Sequence, residues 1–308
     1  MERAIRILDL DGSVARQNRL REKYGAEIIN MTDIGPKARF WASGATGREI
    51  RRRVRTSNKH VVTFLGSGDF HHVSAMLINM FEEPLSVIDL DLHADWNILG
   101  PRSCCGSWVR EINNYVNVRK VAVIGADPGK TLSFTAQTGG YDLLVSGKTA
   151  VYPVTRAASK IFFRKIPPGA TCLAGKGACH TQFNWKTVER GNLGDFIKGI
   201  IKELPTERVY ITVDKDCLTK KYALTNWQEG ELDLDELLLI LRTIKENADI
   251  AGVDITGDYS VVHLDGAVKK IVSSMNRPVD FSAKNISPNI ITRVNEGTNI
   301  KIMETLSR

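Results

Sequence analysis

Leu85-Ser86-Val87-Ile88-Asp89-Leu90-Asp91-Leu92-His93-Ala94-Asp95 is the stretch on which the reading of this chain turns. Its first six residues form a mostly apolar run of strand length, and Asp91, His93 and Asp95 follow at alternate positions. Side chains alternate across an extended strand, so residues at i, i+2 and i+4 leave from one face. A second run, Arg208 to Val213, ends in the same manner with Asp214-Lys215-Asp216. Where two parallel strands finish side by side, four carboxylates and an imidazole converge. Unpaired, such carboxylates repel one another and some take up protons, whereas divalent cations favour the arrangement and make it a site that activates water. Either motif alone reads as strand-end aspartates capping the next helix. The two together, with a histidine upstream, read as metal ligands.

That histidine follows the strand candidate Val61 to Leu65 and the turn Gly66-Ser67-Gly68. A G-x-G-x-x-G dinucleotide fingerprint needs glycine at residue 71, and the chain has His71 there, then His72. The turn is therefore read as delivering an imidazole, a common ligand of transition metals, to the carboxyl edge of a sheet. A nucleotide-cofactor enzyme built on the Gly66 turn is the lowest-ranked alternative.

The remaining strand candidates are Ala4 to Leu10, Lys120 to Ile124, Asp142 to Val145 and Ile250 to Ile255. Helices are expected over Ala15 to Lys23, His72 to Met80, Leu193 to Glu203, Asp233 to Asn247 and Gly266 to Met275. The alternation predicts βαβ units and an α/β fold whose parallel sheet is covered on both faces, with ligands at the strands' carboxyl ends. The helix from Asp233 has the clearest signature, with Asp233 as N-cap, Glu236 three residues on, and an apolar stripe through Leu237, Leu238, Ile240, Leu241 and Ile244. Tyr152 to Trp185, rich in Pro, Gly and Lys, reads as a long loop region near the site entrance.

With 308 residues, 43% of them hydrophobic, the chain has enough apolar mass for a sizeable core, read as one domain over 1–308. No apolar stretch approaches the roughly 20 residues that span a bilayer, and Met1-Glu2-Arg3-Ala4 lacks the features of a secretory signal. Five cysteines without a C-x-x-C pair point to reduced thiols and a cytoplasmic location. The net charge of +7 is scattered except at Arg51-Arg52-Arg53-Val54-Arg55. No aromatic residues are interleaved there, so the run reads as a solvated helix face, and neither nucleic acid nor membrane is expected as a partner.

The order of the His71 turn, Asp91-Leu92-His93-Ala94-Asp95 and Asp214-Lys215-Asp216 resembles the arginase, agmatinase and formiminoglutamase family, the ureohydrolases. The resemblance implies a three-layer α/β/α fold with a mainly parallel central sheet of about eight strands. It implies two manganese ions held by His71, Asp91, His93, Asp95, Asp214 and Asp216, with His72 as fallback if the turn is shifted by one. It further implies a homo-oligomer and a hydrolase that attacks a C–N bond of a guanidino, amidino or related small substrate with metal-activated hydroxide.

Three departures stand beside the resemblance. Cys105, in Ser103-Cys104-Cys105-Gly106-Ser107, occupies the place of a proton-shuttling histidine. Gly257 stands where a glutamate pairs with the substrate guanidinium, with Asp258 one residue away. The proline usual after the D-x-D segment is missing, and the replacement loop puts Trp227 and Glu229 forward as substrate contacts. Asp216, Asp258 and Cys105 are the candidates for carrying the proton to the leaving nitrogen. A family member that binds metal in a binding or regulatory role, without hydrolysis, is the second hypothesis.

Overall fold

A computed structural model describes residues 5–54, 62–97, 103–127, 136–156, 158–162, 172–176, 180–276 and 286–307. The strands β1 (Ile5–Asp9), β2 (Glu27–Asn30), β3 (Val62–Gly66), β4 (Leu85–Leu90), β5 (Val118–Ile124), β6 (Thr149–Tyr152), β10 (Arg208–Asp214) and β11 (Asp249–Thr256) form one sheet. Its order is β2-β1-β3-β11-β10-β4-β5-β6, and every pairing is parallel.

Alternate residues of each strand feed opposite cores. On β4, Val87 joins one buried apolar cluster and Ile88 the other; on β10, Tyr210 and Ile211 divide likewise. That is the three-layer arrangement, and it explains why these strands read as unbroken apolar runs. The helix Leu234–Asn247 opens with the expected capping box of Asp233 and Glu236 and buries Leu237, Ile240, Leu241 and Ile244. The chain places β3 on one side, passes over to β4, and later returns to insert β10 and β11 between them. The gap between β3 and β4 is a switch point, where crevices form beyond the carboxyl ends.

Two expectations are corrected. Asp142 to Val145 belongs to the short helix Tyr141–Val145, which buries Leu143 and Leu144; β6 takes the sheet-edge place instead. An apolar run of one helical turn has no readable period, so nothing in its sequence separates the two states. The region Tyr152 to Trp185 is not simply loop. It contains β7 (Ala158–Phe162), β8 (Cys172–Lys176) and β9 (His180–Trp185) in an antiparallel sheet of order β7-β9-β8. Trp185 anchors that sheet, donating from Nε1 to Ser159 at 2.7 Å and packing 6.4 Å from Trp96 between ring centroids. The arginine run ends the helix Gly44–Arg53, where Arg52 and Arg53 each pair with Glu49 at 2.7 Å and Arg53 reaches Asp33 at 2.6 Å. Among the described residues no helix is long and apolar enough to cross a membrane.

Candidate metal centre

The four central strands β3, β11, β10 and β4 end side by side, and their carboxyl ends assemble the site. His71 arrives from β3 through a single tight turn, Gly68–Phe70, capped by Ser67, whose hydroxyl accepts from the Asp69 amide. Its Nδ1 lies 3.1 Å from Asp91, 3.4 Å from Asp95 and 3.7 Å from Asp214. His93 Nδ1 lies 3.0 Å from Asp216 and 3.6 Å from the other Asp91 oxygen. Two groups that could hold a cation result, His71-Asp91-Asp214 and Asp91-His93-Asp216, each with its donor atoms within 4.8 Å of one another. Asp91 belongs to both. Asp95 turns inward with φ +41 and accepts from Trp108 Nε1 at 2.8 Å, and the Trp108 ring lies 4.7 Å from that of His71.

The strand register fixes the tautomer of His71. In one ladder row Asp89 of β4, Thr212 of β10 and Asp254 of β11 lie abreast. Thr212 donates its single hydroxyl proton to Asp254 at 2.7 Å, so toward His71 Nε2, 2.9 Å away, it offers only a lone pair. His71 therefore carries its proton on Nε2, and its Nδ1 lone pair faces three carboxylates. Tyr210 and Ser74 also donate to Asp254, at 2.8 and 3.0 Å, which holds it as an acceptor.

A lone pair opposed by three anions at such distances calls for positive charge between them. His71 Nδ1, Asp91 Oδ2 and Asp216 Oδ2 are all buried without a hydrogen-bond partner, a condition that a cation among them would relieve. When the charge is a proton, it goes to the imidazoles. Burial alone lowers the His71 pKa, but the hydrogen bonds to Asp91 and Asp95 that a protonated Nδ1 would make outweigh it and raise it well above the usual range. For His93 burial is outweighed by the charge of Asp216 and its hydrogen bonds. Burial works against the Asp91 charge too, yet its two histidines hold that carboxyl well below its ordinary value. Asp216 is pushed up to about 7 by burial and then by the charge of Asp91. The residues thus fit divalent cations, with mostly oxygen donors and two imidazoles.

The other expected residues fall into differing surroundings. His72 is fully buried with neither ring nitrogen hydrogen-bonded, and burial pulls it down to about 3; the imidazole among the carboxylates is that of His71. Asp258 points to a separate network, accepting from Gln17 at 2.7 Å, from buried Lys215 at 2.8 Å and from Asn299 at 3.4 Å. Gly257 has φ +86, and a Cβ on it would come within 2.5 Å of an Asp214 oxygen. Cys105 shares a hydrogen bond with Cys104 that, with burial, raises its pKa well above the thiol value, and Asp95 is an electrostatic neighbour of both thiols. Trp227 lies over the site, its ring 5.9 Å from His93 and 6.2 Å from Phe40. Glu229 is turned to Lys220 at 3.2 Å on the surface.

Sequence reasoning passed over Trp108, Thr212, Asp254 and Asp89. Asp89 and Thr212 carry one signal that was available: each stands two residues before a candidate ligand, on the same face of its strand. The parts played by Asp254 and Trp108 have no local signal.

A parallel α/β protein with a carboxylate–imidazole ligand cluster at its switch point is the class these observations define. Within that class the chain belongs to the Arginase family, whose family model matches residues 13–257. Proclavaminate amidino hydrolase from Streptomyces clavuligerus shares the fold at a TM-score of 0.56 and 15% identity, over 100% of this chain and 93% of that one. The arginase of Entamoeba histolytica, solved with L-ornithine, matches at a TM-score of 0.56 and 10% identity, over 99% and 98%. Bacillus cereus arginase gives 0.56 and 14%, over 98% and 96%. An uncharacterized protein of Thermotoga maritima is 24% identical over 197 residues, 64% of this chain and 58% of that protein's length. At these identities the structural likenesses carry the fold.

Proposed function

We propose that the protein is a binuclear-metal hydrolase, manganese-dependent, that cleaves a C–N bond of a small guanidino, amidino or related substrate. The observation that carries this reading is the His71 Nδ1 lone pair set against Asp91, Asp95 and Asp214, beside a second group that shares Asp91. His71, Asp91, Asp95 and Asp214 are assigned to one cation and Asp91, His93, Asp214 and Asp216 to the other. Oxygen-rich ligation with two imidazoles suits manganese over zinc, which favours nitrogen and sulfur. Such cations, when bound, supply Lewis acidity that lowers the pKa of water enough to make a nucleophile at neutral pH.

The chain's own residues do the rest. Thr212 holds His71 in one tautomer through Asp254. Trp108 holds the Asp95 carboxylate. His93 is 29% exposed while Asp91, Asp214 and Asp216 are at most 4% exposed, so substrate approaches from the His93 side. The amine leaves only once protonated. Cys105, which keeps its proton, and Asp216, as a carboxylate that can relay one, are the groups assigned to that transfer. Asp258 is assigned to holding Lys215. The reading takes the protein to be a cytoplasmic homo-oligomer that acts on a small molecule.

The test is metal titration of the metal-free protein, followed by a screen for urea or ammonia release with and without Mn2+. Two ions per chain and metal-dependent release are expected, and D91A or D214A should lose both. A fully active, metal-loaded D91A protein would refute the assignment.

A further inference from the structure

We infer that the substrate of this site presents an uncharged C–N group, an amide or urea carbon flanked by an apolar body, and not a guanidinium or amidinium cation. The inference rests on the metal-hydrolase reading above and narrows its substrate range to the neutral members of the related compounds named there.

A cationic substrate needs a carboxylate with charge to spare, because moving an ammonium-type ion from water into a crevice without a counter-ion is strongly unfavourable. Around this site the carboxylates are engaged, save Asp89, which has no hydrogen-bond partner but is wholly buried on the Nε2 side of His71, 3.7 Å from that nitrogen and away from the opening. Asp91, Asp95, Asp214 and Asp216 face His71 and His93. Asp69 and Asp11 are held by buried Arg39 at 2.6 and 3.3 Å, and Asp258 by buried Lys215. Glu229 pairs with Lys220, and Asp127 is not free. Space forbids another acid at Gly257, where even a Cβ meets Asp214 and the Lys215 backbone nitrogen, 2.5 and 2.6 Å away. Outside the described residues the sequence holds only two acids, Glu2 and Asp280.

Among the described residues, three uncharged side chains stand beside His93 at the opening. Trp227 Cδ1 lies 3.2 Å from where a Gly68 Cβ would stand, and that point is 2.5 Å from an Asp214 oxygen, so the indole edge sits beside the ligands. Gln228 meets His93 Nε2 at 3.3 Å, and Phe40 packs edge-on behind Trp227. An aromatic edge plus a carboxamide recognises an apolar group and a neutral polar one. The reaction then adds water across an amide or urea C–N bond: the oxygen bonds to the carbonyl carbon, the C–N bond breaks, and the nitrogen departs with the water's proton as an amine.

The test uses matched shapes of opposite charge. Binding of benzamide and phenylurea to the Mn2+-loaded full chain is compared by calorimetry with benzamidinium and phenylguanidinium at pH 7, and turnover of each is followed by ammonia release. The neutral probes should bind at least about tenfold more tightly, a difference of about 1.4 kcal/mol. Exposed Gln228→Glu should improve benzamidinium binding about fivefold, the effect of one exposed charge pair. Equal or tighter binding of the cations by the native chain overturns the inference while leaving the hydrolase reading standing, as does binding of neither class. Absence of metal binding, or of hydrolysis for every class, overturns the hydrolase reading itself.

Discussion

His71 Nε2 lies 2.9 Å from Thr212 Oγ1, and that contact, made between the turn after β3 and the strand β10, decides which nitrogen of the imidazole faces the carboxylates. Thr212→Val keeps the shape but leaves the ring proton unpaired and the tautomer unspecified. Manganese affinity should fall about 10–100-fold, the usual cost of losing such an outer partner, with Thr212→Ser restoring most of it. Isothermal titration of the metal-free variants reads both; unchanged affinity in Thr212→Val removes Thr212 from this role.

Protons and metal compete for the same atoms. His71 and His93 have raised pKa values in the metal-free protein, and Asp216 is raised to about 7. Binding must displace those protons, so manganese affinity should rise with pH through neutrality with net proton release. Stability without metal runs the other way. A carboxyl whose folded pKa lies above its unfolded value binds more protons when folded, so the metal-free protein loses stability as pH rises from about 4 toward 7. Raised histidines add to this loss above their unfolded pKa, about 6.5. Melting temperatures from pH 4 to 8, with and without Mn2+, should therefore diverge as pH rises; parallel curves would contradict the account.

Gly257 is pinned by sterics and backbone together. Gly257→Ala demands φ +86 of a residue with a Cβ, costing about 1–2 kcal/mol, and drives that Cβ into the Asp214 carboxylate. The variant should bind fewer than two Mn2+ per chain, measurable by elemental analysis after gel filtration. Gly257→Glu should fare worse and gain no guanidinium binding.

Lys215 is wholly buried against Asp258, 2.8 Å away. Lys215→Met leaves that aspartate without its cation and should cost about 3–5 kcal/mol, whereas Lys215→Met with Asp258→Leu should recover much of the loss. Urea denaturation of the two variants and the native chain gives the comparison. A double variant no more stable than the single one would argue against a charge-pair origin.

Much of this was legible along the chain because strand periodicity is local. Asp91, His93 and Asp95 alternate on one segment, and the same face can be read off Asp214 and Asp216 without knowing what lies beside them. The sandwiched sheet was legible for the same reason, since burial on both faces leaves continuous apolar runs. Where local pattern was short or mixed, it misled. Tyr141–Val145 is one helical turn of apolar residues, and β7 to β9 lie among glycines and prolines that read as loop.

The amino-acid order by itself determined the ligand set put forward, the α/β class and the family resemblance, because each depends on residue type and spacing within single elements. Only the tertiary structure decided that Thr212 stands abreast of Asp89 and Asp254, that Gln17, 241 residues away in the chain, holds Asp258, and that Gly257 leaves no room beside Asp214. Register between parallel strands and contacts across long crossovers are set by how whole helices pack on the sheet. That packing is a sum over distant residues, which no short stretch of sequence encodes.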